Sequence, residues 1–414
     1  MQKVMGICHK EKFSRKERRL IFGMGLLTGI RTLGASLVMP VFSCYAMHLA
    51  GATERMVGVA IGVFGVSQTL FQVPLGSLSD RWGGKRTLVF GSLIYIFGTI
   101  LCGLSRDVYL LAAARFLAGA GAVSGVALSC ITAGVNGRRR NEAVSYLGIC
   151  IGLAVMAGFP LGWIIAAAWD AGLVFFACAF FALAALGYTV FLVDEEDMDG
   201  RRRSGSRSFS MKKALRFFTD RDLARLNAAG FIGNACLTSV FFALPVMISR
   251  DLPAVTMWKV FVPAAVIGTA AMYRCARRAD EIGTRRIARA GFALELVGVM
   301  LPLASRSPYL LMTALTVFYS GHCILSPILP VAVSRFPDRE NRGTVMSIFT
   351  ASQFMGTGAG GVVGGFLMGF SPDYLFCAAA LLSLGAVVVM SGYGNFQRHS
   401  AAVPGGAVTS AAGN

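Results

Sequence analysis

Residues 76–86 read GSLSDRWGGKR, a polar knot of one aspartate (Asp80) and three basic side chains (Arg81, Lys85, Arg86) between two nearly unbroken apolar stretches. Residues 276–286 read ARRADEIGTRR and repeat it at an offset of 200: Asp80 matches Asp280, Gly83 matches Gly283, Lys85 matches Arg285 and Arg86 matches Arg286. Farther along, Arg140, Glu142 and Ala143 stand opposite Glu340, Arg342 and Gly343, and Gly158 stands opposite Gly358. A match that keeps its offset and also follows the order of the apolar runs marks a duplicated unit.

Those runs decide the fold class. Of 414 residues, 55% are hydrophobic and only 14% charged, against about a quarter charged in soluble domains. About 20 apolar residues at 1.5 Å rise each cross the hydrocarbon core. Twelve runs are read: Ile21–Met47, Met56–Gly76, Leu88–Leu104, Tyr109–Ala133, Ala143–Ala168, Phe175–Val193, Leu226–Ile248, Val260–Met272, Ala290–Ala304, Leu310–Val333, Val345–Phe370 and Tyr374–Met390. The expectation is an all-α polytopic membrane protein of twelve transmembrane helices in two six-helix bundles related by a pseudo-twofold. Its expected parts are an N-terminal segment (1–20), a first bundle (21–193), a linker (194–222), a second bundle (223–392) and a polar tail (393–414). The linker turns from acidic to basic to Ser/Gly-rich, as connecting segments do.

A net charge of +18 invites a nucleic-acid reading, but the distribution of charge argues against one. With the N-terminus placed inside, thirty Lys and Arg fall in inner segments and five in outer loops (Arg55, Arg106, Arg250, Lys259, Arg306), leaving Arg31, Arg115, Arg225 and Arg289 in or near helices. That asymmetry is the positive-inside rule and predicts both termini in the cytoplasm. The ten cysteines are scattered singly, without the close spacing that zinc or a redox pair needs, so no metal or cofactor is expected. No cleavable signal peptide is expected either, since residues 1–20 are too charged. No paired carboxylates or Ser/His/Asp set points to an enzyme. The run GTGAGG (356–361) sits inside an apolar span with no strand before it and no Lys-Ser/Thr after it, which excludes a phosphate-binding loop and an ATP-driven pump.

The pattern G-x-L-x-D-R-x-G-x-K/R-R between the second and third spans resembles the signature loop of the major facilitator superfamily. Over nearly the whole chain the resemblance is closest to the bacterial drug:proton antiporter branch and, within it, to YajR-like transporters. It is carried by RTLGASLVMPVFSCYAMHLAGATERMVGVAIGVFGVSQTLFQVPLGSLSDRWG (31–83), RLNAAGF with FFALP (225–245) and RGTVMSIFTASQFMGTGAGGVVGG (342–365). Three departures stand out: Gly158-Phe159-Pro160-Leu161-Gly162 where a Gly-Pro is usual, Ala118 where a glutamine is usual, and a short Ala/Gly/Ser tail in place of a soluble C-terminal domain. Such duplicated bundles bind substrate near the midplane between the halves.

The resemblance implies that Asp80 sits at the N-terminus of the eleventh span near Gly343, where a helix dipole favours an anion, so that Gly76, Asp80, Arg81, Gly83, Lys85 and Arg86, with Asp280, Gly283, Arg285 and Arg286, form a gate and conformational latch. Gly76 is expected to let the second helix approach a neighbour, and Arg81, Lys85 and Arg86 to meet anionic lipid or cytoplasmic acids. Arg115 takes the place of the fourth-span arginine associated with proton coupling. A charged residue within a span is costly and marks a functional or pairing site. By that rule Glu295, the one carboxylate deep in a span, and His322, which changes charge near neutral pH, join Arg115 and Asp80 as proton-coupling candidates. A structural contact to a neighbouring helix is the competing reading for Glu295, as packing is for His322. Arg31, Gln68, Gln72, Asn227, Asn234, His322 and Gln353 are the substrate-cavity candidates. A structural Arg31 bonded to carbonyls or to Gln68 and Gln72 is the alternative. Gly158, Pro160, Gly162, Gly358 and Gly361 are expected where helices cross closely and kink.

The resulting expectation is a monomeric secondary transporter of the bacterial inner membrane that exports small lipophilic or amphipathic compounds against protons, with membrane lipids around it and no nucleic-acid partner. A metabolite facilitator or importer and a non-transporting sensor or assembly component are the alternatives. The lack of an acid in the first six spans favours the facilitator.

Overall fold

A computed structural model describes residues 13–135, 140–195, 220–253, 256–335 and 342–394, and among helical positions the side chains of Asp80 and Asp280 lie outside the description. Most of the segments expected at 1–20, 194–222 and 393–414 also lie outside the described residues. The helices are α1 (Arg15–Met47), α2 (Glu54–Trp82), α3 (Gly84–Leu104), α4 (Val108–Ala120), α5 (Ser124–Gly134), α6 (Arg140–Ala168) and α7 (Leu173–Leu192), then α8 (Arg221–Ile248), α9 (Trp258–Arg277), α10 (Ala279–Ile282), α11 (Thr284–Ala304), α12 (Pro308–Ser334), α13 (Arg342–Met368) and α14 (Pro372–Ser391). They divide into two compact units, Met1–Ser208 with Leu252–Phe261, and Phe209–Asp251 with Val262–Asn414.

Ten helical stretches among the described residues are long and apolar enough to cross a membrane, against twelve runs read from the sequence. The two runs outside those ten fall on α9 and α13, which are helical. Lys259, Arg274 and Arg277 crowd the ends of α9, and the glycine, serine and threonine of α13 dilute its hydropathy. The fourth run is also not one helix: α4 ends at Ala120 and α5 begins at Ser124. Phe180, Phe191, Leu381 and Val388 are all exposed, an apolar surface that suits hydrocarbon and not water.

Local signals set the helix starts. α1 begins six residues before its apolar run because Ser14 and Glu17 form a capping box: Ser14 N–H donates to Glu17 Oε2 at 2.9 Å and Glu17 N–H to Ser14 Oγ at 3.1 Å. Asp107 caps α4 by accepting from Leu110 N–H at 2.8 Å, and 200 residues on Ser307 caps α12 by accepting from Leu310 N–H at 3.4 Å.

The duplication is visible inside each unit. In the first, α1 packs on α6 and α7, and α3 on α4 and α7; in the second, α8 packs on α13 and α14, and α11 on α12 and α14. Each unit has its own core, Leu20, Met24, Leu88 and Ile131 in one, Leu226, Phe292, Leu329 and Phe349 in the other. Two pairs of close crossings keep the offset of 200. A side chain on Gly121 would strike the backbone at Gly91 and Tyr95, and one on Gly321 would strike it at Gly291 and Glu295. Gly98 lies against Ala118 as Gly298 lies against Phe318. On α6, Gly158 lies against Leu33 and Ser36 and Gly162 against Leu37; on α13, Gly356 lies against Phe231 and Gly360 against Ala235. Gly358 and Gly361 are buried on the same helix, and Pro160 sits within α6. Small residues at such crossings let backbones meet where no hydrophobic drive separates helix from lipid.

The close approach expected at Gly76 is not made: a side chain there would meet nothing within 4 Å. The neighbouring backbone on that stretch of α2 stands off, and the tight contact to α2 comes instead at Gly119, which lies against Phe64 and Ser67.

Candidate functional site

Three groups of polar side chains stand out. The first is the loop between α2 and α3. Gly83 ends α2 and begins α3 with φ 96° and ψ 153°, and Gly283 ends α10 and begins α11 with φ 88° and ψ 141°. Only glycine takes such angles without strain, so the glycine pair repeats for a reason of backbone geometry. Lys85 Nζ donates to the carbonyls of Val190 and Val193, both at 2.8 Å, at the C-terminal end of α7. A cation there satisfies orphan carbonyls and complements the helix dipole. Lys85 thus fastens α3 to the end of α7. Arg86 makes an exposed ion pair with Glu195 at 3.3 Å. Arg81, Arg285 and Arg286 are exposed.

The second group lies within the first unit. Arg31, 7% exposed, donates through Nη1 to the carbonyl of Gly121, and its guanidinium carbon stands 4.6 Å from the centroid of the Tyr95 ring. The Gly121 carbonyl belongs to the break between α4 and α5, so the arginine closes a gap in the helix ladder. Arg115 lies over two rings, 4.1 Å from the centroid of Phe64 and 5.0 Å from that of Phe42. Cation–π contacts of this kind gain strength away from water. Arg31 thus takes the carbonyl-bonded position weighed as its structural alternative, without Gln68 or Gln72. Those two amides keep an Oε1 atom with no hydrogen-bond partner among the described residues.

The third group lies within the second unit. Glu295 on α11 is 0% exposed, and its Oε1 lies 3.1 Å from Nδ1 of His322 on α12. Its Oε2 has no hydrogen-bond partner among the described residues. Two candidates chosen separately from the sequence are therefore one pair. Nothing in a spacing of 27 residues signals that contact, but the crossing of Gly291 and Gly321 brings α11 and α12 close enough for it. By the offset of 200, Glu295 occupies the position of Tyr95, the ring that faces Arg31, a correspondence that sequence reading missed although the offset contains it. Asn227 is 5% exposed with neither amide atom partnered, whereas Asn234 donates from Nδ2 to the Gly230 carbonyl of its own helix at 2.9 Å. Gln353 passes beside Gly230. Among the described residues no three His, Cys, Asp or Glu gather as a metal site.

A family model described as the Major Facilitator Superfamily matches residues 24–281 and 275–398. The chain belongs to that superfamily. The inner membrane transport protein YajR of Escherichia coli (strain K12) is 28% identical over 378 residues, 90% of this chain and 82% of the relative. Multidrug resistance protein 1 of Bacillus subtilis (strain 168) is 24% identical over 381 residues, 87% of this chain and 93% of the relative. The crystal structure of the human organic anion transporter MFSD10 matches with a TM-score of 0.69 at 17% identity, covering 91% of this chain and all of that one, a likeness of fold. The chain is a multi-pass membrane transporter of this superfamily, not an enzyme.

Proposed function

We propose that this transporter is a monomeric, proton-coupled exporter of small lipophilic or amphipathic compounds, working by alternating access in a bacterial inner membrane with both termini in the cytoplasm. The Glu295–His322 pair carries the reading. A carboxylate bonded on one oxygen to an imidazole and left open on the other holds a proton in one state and releases it in another, which is what coupling requires. Arg115 and Asp80 are the further coupling candidates. Spans with few charges accept greasy substrates, and the Oε1 atoms of Gln68 and Gln72 and the amide of Asn227, without a hydrogen-bond partner among the described residues, offer polar contacts to orient them, with Arg31, Asn234, His322 and Gln353 as the other cavity candidates. The names of the B. subtilis and E. coli relatives support drug export and the inner membrane. Asp80, Arg81, Lys85 and Arg86, with their Asp280–Arg286 counterpart, are the proposed latch between outward- and inward-open states.

Proteoliposomes with an imposed pH gradient test the proposal. Adding a lipophilic cationic dye should dissipate the gradient with the wild-type protein and leave it intact with Glu295→Gln. Measurable dye flux with the gradient untouched by the wild-type protein overturns proton coupling. That outcome favours the second reading, a metabolite or sugar facilitator or importer, which the lack of an acid in the first six spans supports: Arg31 and Arg115 contact rings and a carbonyl but no carboxylate among the described residues.

A further inference from the structure

The end of α9 carries a basic surface that the repeat does not account for. Arg274, Arg277 and Arg278 line a cleft of about 810 Å³ with Ala270, Tyr273 and Glu281. Positions 200 earlier hold Pro74, Ser77 and Leu78, so these three arginines were added to the second half alone. The basic pair that membrane topology asks of this loop is already supplied by Arg285 and Arg286, which match Lys85 and Arg86. Residues 270, 274 and 277 share one face of α9, and 278 and 281 follow at the turn into α10. Like charges three and four residues apart repel, and Glu281 makes no ion pair with them among the described residues. Arg277 leans on Tyr273, with Nη1 3.4 Å from the hydroxyl and the guanidinium carbon 5.6 Å from the ring centroid. The tyrosine thus holds one guanidinium toward the cleft and is itself 59% exposed, as interfacial aromatics are.

We propose that this cleft binds a phosphate-bearing anion. Guanidinium groups match phosphate oxygens in fork geometry, and several around one cleft relieve their mutual repulsion by sharing it. The phosphate belongs either to an anionic phospholipid headgroup or to a soluble phosphate. The site is separate from the Glu295–His322 pair and stands whether or not the transporter is proton-coupled.

The test uses the full-length protein, the triple variant Arg274→Gln/Arg277→Gln/Arg278→Gln, and a control that removes the same number of exposed charges elsewhere, Arg15→Gln/Arg18→Gln/Arg19→Gln. One arm measures phosphatidylglycerol retained from mixed phosphatidylethanolamine–phosphatidylglycerol nanodiscs by mass spectrometry. The other measures thermal stabilisation by inorganic phosphate in detergent. Retention at least threefold lower in the triple variant than in the control identifies a lipid headgroup. A phosphate-induced rise in melting temperature lost only in the triple variant identifies a soluble phosphate. Equal behaviour of triple variant and control in both arms overturns the proposal. Should the triple variant fail to insert, Arg277→Gln and Arg278→Gln singly are compared with Arg18→Gln in the same arms, on the same criteria.

Discussion

The carbonyl of Gly121 would be stranded inside the membrane without the guanidinium of Arg31. Bilayer interiors offer no water to a broken helix, so each freed backbone group needs a partner within the protein. The second unit shows the converse. Phe231 stands where the offset of 200 would place an arginine, and α12 runs unbroken through Gly321. Arg31→Met should therefore destabilise the protein by about 1–3 kcal/mol, the cost of an orphaned buried acceptor, read as a lower unfolding midpoint in detergent; an unchanged midpoint would mean that another group reaches the carbonyl. The Glu295–His322 pair makes a different prediction. Glu295→Gln keeps the shape and the hydrogen bond but cannot exchange a proton, so substrate binding should persist while flux loses its dependence on pH. A pH profile identical to wild type would remove this pair from the coupling step.

Helix crossings here are set by glycine, and α3–α4 and α11–α12 use it in the same places. Gly98→Leu and Gly298→Leu should each push α3 from α4 and α11 from α12, since the facing atoms are largely backbone and cannot turn aside. Both variants are expected to lose most of their detergent-extractable, monodisperse protein on size exclusion. A loss in one and not the other would break the equivalence of the units. Lys85→Met tests a finer contact, the two hydrogen bonds that fasten α3 to the last carbonyls of α7. Because the ammonium is partly exposed, its removal should cost only about 1 kcal/mol, seen as a small drop in thermal midpoint with membrane insertion unchanged.

At the scale of the whole chain the proposed latch carries the transport prediction. Asp80→Asn keeps size and helix propensity and removes the charge, so insertion and yield should stay at wild-type level while transport falls at least severalfold. Wild-type flux in that variant would remove Asp80 from the proposed gate. The overall plan was legible beforehand because lipid imposes a simple code. Apolar length marks the spans, and the interval between Asp80 and Asp280 marks the duplication. On α6 the close crossings fall at Gly158 and Gly162, whereas on α13 they fall at Gly356 and Gly360, beside the Gly358 and Gly361 expected there. Gly76 shows the limit: a small residue permits a close approach without requiring one, and here the approach lies at Gly119.

By itself the sequence determined that the chain is repeatedly apolar enough to be buried in lipid, that the pattern occurs twice, and which superfamily it joins, because each of these depends on residue order alone. Tertiary structure alone decided which polar groups meet. The partnership of Glu295 with His322, of Arg31 with Tyr95 and the Gly121 carbonyl, and of Lys85 with the end of α7 each joins separate helices. Such contacts depend on crossing angle and helix rotation, which are set by side-chain packing across the bundle and leave no local trace in the chain.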